Sequence, residues 1–360
     1  MVISEVYEVQ PDGDILFILR NSGATFAMHN TEDEWPNALP EHQTELSKRR
    51  ESSIIPRKSY SDLHETLADD SSLAQAKPEP LHMRFRVSSA ILINTSAYFK
   101  KSLSGDWKET EPEPGYKWTL TSNNWDSEAF LLLMRILHHK TREDPRTIDL
   151  EKLAKIAVLV DYYGCLEAVE LWAETWISNL ASDMTESFYS RELLLKLTIS
   201  WVFSDRRNFR SLTEVAIRTS RGPIPTLGLP IPYQVVVAIE QSRVASIRIL
   251  IEGIQKHWDI LNRITDVRNM AYSRRCQYAQ LGYIDQNLSE NGLKPLPSHP
   301  YHGFSLNALR EAIDSFDTST TCPCKGGRHL QSLRTDLKSL SKDAFRNCED
   351  GIGISQFTDN

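Results

Sequence analysis

Residues 81–92 read Leu-His-Met-Arg-Phe-Arg-Val-Ser-Ser-Ala-Ile-Leu and carry the clearest pattern in the chain. The first seven of them alternate apolar and polar side chains, which is the period of a half-buried strand. Ser88 or Ser89 then offers a hydroxyl that can cap the first turn of a helix. The stretch therefore predicts a strand that leads directly into a helix.

A second apolar run lies upstream, at residues 14–19, Asp-Ile-Leu-Phe-Ile-Leu, after the turn-prone Pro11-Asp12-Gly13. It predicts a buried strand. Residues 30–80 are polar, acidic and serine-rich, and they have too little apolar surface to offset the entropy of ordering. They are predicted to form a disordered insert, and the two strands would pair across it, because the cost of loop closure grows only logarithmically with length.

The second half of the chain shows helical signals throughout. Its longest apolar stripe follows Pro232 and runs at helical spacing from Val236 to Leu261. A bundle helix is favoured over a coiled coil, because the stripe does not keep a strict heptad. Residues 183–317 are predicted to form an all-α domain, and residues 318–360 a polar, flexible tail.

Length and charge limit the possible functions. A chain of 360 residues has room for about two domains, and its net charge of −7 disfavours direct binding of nucleic acid. No apolar run approaches the ~20 residues of a membrane span. Five scattered cysteines do not make a disulfide framework, which predicts a reducing compartment, either nucleus or cytoplasm.

Several segments carry a family resemblance when they are taken in order. Residues 13–19, 85–92, 96–99 and 103–109 look like the strand, strand, helix opening of BTB/POZ domains. Residues 129–139 resemble the next helix in the form found in filamentous fungi, and residues 153–176 resemble the closing helical pair. Residues 200–203 and 300–306 look like parts of the all-helical extension that these fungal proteins share.

The resemblance implies an α+β fold: a BTB/POZ-like domain, a small sheet wrapped by helices, is followed by an all-α C-terminal domain. The BTB/POZ-like domain would comprise residues 1–29 and 81–182. Two departures are noted, since Ser88 replaces the family's hallmark His and the long insert separates the first two strands.

The resemblance implies dimerisation or adaptor work, with no active site. The first hypothesis is a protein–protein interaction scaffold that dimerises through the BTB/POZ-like domain, with transcriptional or chromatin regulation as its proposed setting. The residues expected to mediate dimerisation lie in the first strand and the first helical region: Ile15, Phe17, Leu92, Tyr98 and Phe99.

The alternative is a substrate adaptor for a cullin-based ubiquitin ligase. Many BTB adaptors engage a cullin scaffold through an apolar residue, any residue, then Glu, and Trp107-Lys108-Glu109 has this form. Trp107 and Glu109 are therefore the predicted partner-binding residues. No recognisable substrate module appears, which favours the scaffold.

The sequence predicts no catalytic residues, no cofactor-binding residues and no metal ligands, so the chain is not expected to be an enzyme. Cys322-Pro323-Cys324, with His329 and Cys348 beyond, lacks the paired spacing of a zinc site, although the sequence leaves open whether the two tail cysteines bind metal. Cys165 is predicted to be a small core residue.

Two serines in the insert follow basic clusters. Ser52 comes after Lys48-Arg49-Arg50, and Ser59 comes after Arg57-Lys58. Basophilic kinases favour this pattern, so both serines are candidate phosphorylation sites. The same basic residues can instead form a split nuclear-import signal, or an ordinary solvated charge run.

Overall fold

The computed structural model describes residues 6–28, 82–104, 112–181, 183–263, 274–317, 320–322, 324 and 327–358. The predicted insert, with Ser52 and Ser59, and the predicted docking residues Trp107 and Glu109 lie outside them. Within the described ranges the N-terminal half contains a sheet in the order β1-β3-β2-β4. Its strands are β1 (Val6–Glu8), β2 (Ile15–Arg20), β3 (Met83–Val87) and β4 (Trp118–Asn123).

The sheet confirms both strands predicted from apolar pattern and their pairing. β2 and β3 run antiparallel, with Phe17 opposite Phe85. β2 also pairs in parallel with β4, where Phe17 stands opposite Leu120. β2 thus lies between two neighbours, and its side chains from Ile15 to Phe17 are buried.

Helices cover the sheet, and two of them begin at an aspartate cap. Asp126 accepts a hydrogen bond from the Ala129 N–H at 2.9 Å, and Asp149 accepts one from the Lys152 N–H at 2.7 Å. Gly164 ends a helix in the left-handed conformation at φ 57°. The helices are α1 (Ser89–Thr95), α2 (Ala97–Leu103), α3 (Ser127–Leu137), α4 (Leu150–Tyr163) and α5 (Leu166–Asn179).

The first turn of α1 is capped by a residue that is distant in the sequence. Asp14, just before β2, accepts the Ser89 N–H and the Ser89 hydroxyl, each at 2.7 Å. Burial alone would raise the pKa of Asp14, but the hydrogen bonds from Ser89 outweigh burial and lower it. The predicted cap residue Ser88 makes no side-chain cap, and its N–H donates instead to His138 Nε2 at 3.0 Å.

Aromatic rings fill the centre of the N-terminal half. Phe130 lies 4.7 Å from Phe17 and 5.1 Å from Phe85, measured between ring centroids. Phe99 and Tyr163 stack at 4.9 Å. Since aromatic side chains bury large apolar surfaces, these rings account for much of the stabilisation of this half.

The C-terminal half is helical, as predicted. α6 packs on α4 and connects the two halves, and α8 is the long helix that follows Pro232. The helices are α6 (Arg191–Val202), α7 (Arg206–Thr219), α8 (Tyr233–Arg263), α9 (Arg274–Glu290), α10 (Leu306–Asp314), α11 (Arg328–Arg346) and α12 (Ser355–Thr358). Among the described residues, no helix is both long and apolar enough to cross a membrane.

A fully buried arginine organises this half. Arg243 on α8 forms a two-pronged ion pair with Glu240, both contacts at 2.7 Å. It also donates to the carbonyl oxygens of Pro300, Tyr301 and Phe304 at 2.8, 3.1 and 2.9 Å. The guanidinium thereby holds the turn before α10 against α8.

The prediction of a flexible tail is corrected by α11. Its apolar residues Leu330, Leu333 and Leu337 are buried against the preceding helices. At Gly253 on α8 a Cβ atom would stand 2.6 Å from the Leu340 side chain, so glycine allows the two helices to approach. The physical reason for the correction is that this stripe of leucines has an apolar face of the bundle to cover.

Candidate functional site

Among the residues that the structure describes in the N-terminal half, two tyrosines form an exposed aromatic pair. Tyr98 lies on α2 and is 40% exposed, and Tyr162 lies near the end of α4 and is 48% exposed. Their ring centroids are 5.3 Å apart. We call these two residues the tyrosine patch.

The patch rests on the aromatic core. Tyr98 contacts the edges of Phe99 and Tyr163, each at 5.4 Å, and Trp125 lies 5.1 Å from Tyr162. Rings that are braced in this way lose little side-chain freedom when a partner binds.

The backbone fixes the two helices that carry the patch. The Ser96 hydroxyl accepts the Phe99 N–H at 3.2 Å and donates to the Tyr163 carbonyl. The Ala97 N–H donates to the Gly164 carbonyl at 3.2 Å. The start of α2 is therefore attached to the end of α4, which sets the spacing of the two tyrosines.

The other predicted dimerisation residues lie inside the chain. Ile15, Leu92 and Phe99 are 0% exposed and Phe17 is 2% exposed. Burial assigns these four side chains to the core, so of the five only Tyr98 can touch a partner without rearrangement. Dimerisation through this region remains a prediction. Tyr162 was not anticipated, because its place beside Tyr98 depends on how α2 packs against α4.

A second group of residues lies in the C-terminal half. The ligating atoms of Cys276, Cys322, Cys324 and His329 all lie within 4.8 Å of one another. We call these four residues the Cys–His cluster. Cys276 is in the first turn of α9, His329 is in the first turn of α11, and the other two cysteines lie between α10 and α11.

The cluster differs from the cysteine group considered in the sequence. Cys348, at the far end of α11, lies outside it, and its thiol is directed to the carbonyls of Ala344 and Phe345. Cys276 takes its place, although it is distant in sequence from Cys322. No local spacing signals this contact, since the packing of α9 beside α11 creates it.

The thiols occupy different electrostatic environments. The N–H of His329, at the start of α11, lowers the pKa of the Cys324 thiol to about 6. Burial raises the pKa of Cys322 to about 11. Burial also raises the pKa of Cys165 to about 12, and this residue is 2% exposed, which confirms its prediction as a small core residue.

The family model described as BTB/POZ domain matches residues 66–180. The match ends at the last turn of α5 and includes β3, β4 and both helices of the tyrosine patch, whereas β2 lies before its first residue. No curated protein and no solved structure matches the chain.

Proposed function

We propose that this BTB/POZ domain-containing protein is an interaction scaffold that self-associates through its BTB/POZ domain. The BTB/POZ family is one of protein-interaction domains and not of catalytic ones, so a protein is the expected class of partner. The observation that supports self-association is the tyrosine patch, in which two exposed rings lie on braced helices. Tyrosine is enriched among residues that dominate binding energy at protein interfaces.

Charge around the patch favours a second copy as the partner. Lys101 follows Tyr98 by three positions on α2 and so shares its helix face, and it is exposed. Asp161 precedes Tyr162 on α4 and is also exposed. A face that carries both signs of charge can pack against the same face of a second copy across a two-fold axis, with each lysine opposite an acid of the partner.

The test is the mass in solution. Light scattering at tens of micromolar should give about twice the chain mass of 41.2 kDa. The double variant Tyr98→Asp, Tyr162→Asp should be monomeric, because a hot-spot aromatic contributes at least about 2 kcal/mol, or roughly thirtyfold in affinity.

The matched control is Tyr278→Asp. Tyr278 lies on α9 and is 64% exposed, so this change adds the same charge at a tyrosine away from the patch, and it should leave the dimer intact. A wild-type chain that stays monomeric at these concentrations overturns the proposal.

The alternative proposal, a substrate adaptor for a cullin-based ubiquitin ligase, is supported by the sequence at Trp107 and Glu109, which lie outside the described residues. It predicts that Trp107→Ala abolishes binding to a purified cullin scaffold while the mass in solution and the melting temperature stay unchanged. Absence of binding by the wild-type chain in a direct titration would remove this alternative. Pull-down with mass spectrometry would then test the proposed setting of transcriptional or chromatin regulation.

A further inference from the structure

We propose that the Cys–His cluster binds one zinc ion as a structural site, with Cys276, Cys322, Cys324 and His329 as its four ligands. The ion would fix the starts of α9 and α11 to the segment between α10 and α11. This site is separate from the proposed self-association surface, because all four residues lie beyond the matched BTB/POZ segment.

The distances are close to those that zinc requires. Tetrahedral coordination with a Zn–S bond of about 2.3 Å places neighbouring ligand atoms about 3.8 Å apart. All four ligating atoms already lie within 4.8 Å of one another, so the largest separation has to shrink by about 1 Å. Small rotations of the cysteine and histidine side chains about their χ angles can supply this change.

The set of donors favours zinc over other metals. Three thiolates and one imidazole are soft and borderline ligands that suit a tetrahedral zinc ion, whereas magnesium and calcium require oxygen. Four protein ligands leave no position open for water or substrate, which distinguishes a structural site from a catalytic one. Cys276 and Cys322 are 2% and 5% exposed, so the ion would be largely shielded from solvent.

Backbone groups around Cys324 support the ligand role. The N–H groups of Arg328 and His329, at the start of α11, are directed to the Cys324 sulfur. The Gly327 N–H donates to the Cys324 carbonyl at 3.1 Å, and Gly327 has a φ of 61°, which suits glycine. Such outer contacts orient a thiolate toward a metal and stabilise its charge.

Neighbouring charges also fit the proposal. A zinc ion with three thiolates and a neutral histidine carries a net charge of about −1. Arg275 precedes Cys276 and Arg328 precedes His329, and both arginines are exposed. Two cations close to the site in sequence can balance its excess negative charge.

The segment between α10 and α11 is held on its other side by Arg334. This residue donates to the carbonyls of Asp317 and Thr320 at 3.1 and 2.7 Å and to the Tyr283 hydroxyl at 3.3 Å. The cysteines are therefore presented by a segment tied to both helices, which lowers the entropy cost of gathering the ligands.

The first experiment measures metal content on the full chain. Protein purified in reducing buffer with zinc supplied should contain about one zinc per chain by elemental analysis. Replacement by cobalt should give a thiolate-to-cobalt charge-transfer band and the strong d–d bands of tetrahedral geometry. Wild-type protein that neither retains zinc nor gives these bands overturns the proposal.

Zinc binding is next compared between variants of the proposed ligands and a variant of a buried cysteine outside the cluster. Cys276→Ser and His329→Asn should weaken zinc binding by more than about 100-fold, since even groups that only orient a ligand alter affinity by about 10–100-fold. Cys348→Ser is the matched control, because Cys348 is 3% exposed, lies in the same half and is outside the cluster. Equal loss of zinc in Cys348→Ser and Cys276→Ser would contradict the assignment.

Two further measurements use the wild-type chain, so they test the proposal even if a variant fails to fold. A strong zinc chelator should lower the melting temperature, and added zinc should restore it. The rival state is a disulfide among the three thiols, and peptide mass spectrometry that finds it in zinc-supplied, reduced protein overturns the proposal. The dimer mass should be the same with and without chelator, so failure of this site and failure of self-association are distinguishable.

Discussion

The two halves of the molecule are organised around different centres. The N-terminal half packs Phe17, Phe85, Phe130 and Tyr163 around one another, with centroids 4.7–6.5 Å apart for the pairs in contact. The C-terminal half instead buries the cation of Arg243, whose nitrogens are satisfied by Glu240 and three backbone carbonyls.

The two centres should respond differently when a central side chain is substituted. A ring contributes through volume and area, so its loss leaves a cavity whose cost depends on how far the neighbours collapse. A buried guanidinium contributes by satisfying polar groups, so its loss leaves those groups without partners, whatever the volume of the replacement. The first kind of centre depends on shape, and the second depends on hydrogen bonding.

The greatest loss of stability is expected from a substitution in the aromatic centre. Phe130→Ala should lower the free energy of unfolding by about 3–5 kcal/mol, because Phe130 is fully buried between Phe17 and Phe85. Chemical denaturation measures the change. Phe188→Ala, at a position that is 49% exposed, is the control and should cost less than about 0.5 kcal/mol. Equal costs for the two changes would contradict the described core.

The next largest loss of stability is expected from a substitution in the polar centre, at Arg243. Arg243→Met keeps the approximate length of the side chain but removes the guanidinium that pairs with Glu240 and donates to the carbonyls of Pro300, Tyr301 and Phe304. It should cost about 3 kcal/mol in the same assay. Arg248→Met, on the exposed side of the same helix, should change stability by less than about 0.5 kcal/mol.

A double variant measures the coupling between Glu240 and Arg243. Adding Glu240→Gln to Arg243→Met removes the unpaired charge, so the pair of changes should cost less than the sum of the two single changes. Simple additivity would mean that the ion pair contributes no coupling, contrary to the geometry.

The smallest loss of stability is expected at His138, whose ring makes polar contacts within the N-terminal half. His138 is 3% exposed, its Nε2 accepts the Ser88 N–H, and its Nδ1 lies 2.7 Å from the Met134 carbonyl. This pattern requires a neutral ring with the proton on Nδ1. Burial lowers the pKa of His138 below 6.5, the carbonyl of Met134 opposes the shift, and the charges of His139 and Lys140 add to it.

The sign of the pH dependence follows from this shift. As pH falls below about 6.5, the unfolded chain takes up a proton at His138 before the folded chain does, so stability decreases. Between pH 7 and 5.5 the free energy of unfolding should therefore fall, because this interval spans the ordinary pKa of 6.5 at which the unfolded chain takes up the proton. His138→Gln should remove this component from a pH series of unfolding curves, and His82→Gln, at an exposed position, should keep it.

Local signals in the sequence were sufficient for much of the fold. The alternating run before Ser88 became β3, the apolar run at residues 14–19 became β2, and the apolar stripe that follows Pro232 became part of α8. These features depend on residues within a few positions of one another. β1 was not predicted, because a strand of three residues, two of them exposed, is too short to show an alternation of apolar and polar side chains.

Other features depended on distant contacts. In α11 the leucines at 330, 333 and 337 do have helical spacing, but only the bundle reveals what they cover. Tyr98 was predicted for the interaction surface and Tyr162 was not, because their contact requires α2 to lie on α4. The contribution of Cys276 to the Cys–His cluster arises in the same way, from helices that pack side by side.

The central place of β2 in the sheet has a consequence for the newly made chain. Its residues leave the ribosome before those of both its neighbours, since β3 begins 63 residues later, from Arg20 to Met83, and β4 comes later still. At about 5–20 residues per second, translation needs roughly 3–13 s to deliver β3. During that interval the run Ile-Leu-Phe-Ile-Leu has neither neighbour, and an unpaired apolar strand is open to chaperones and to adjacent nascent chains.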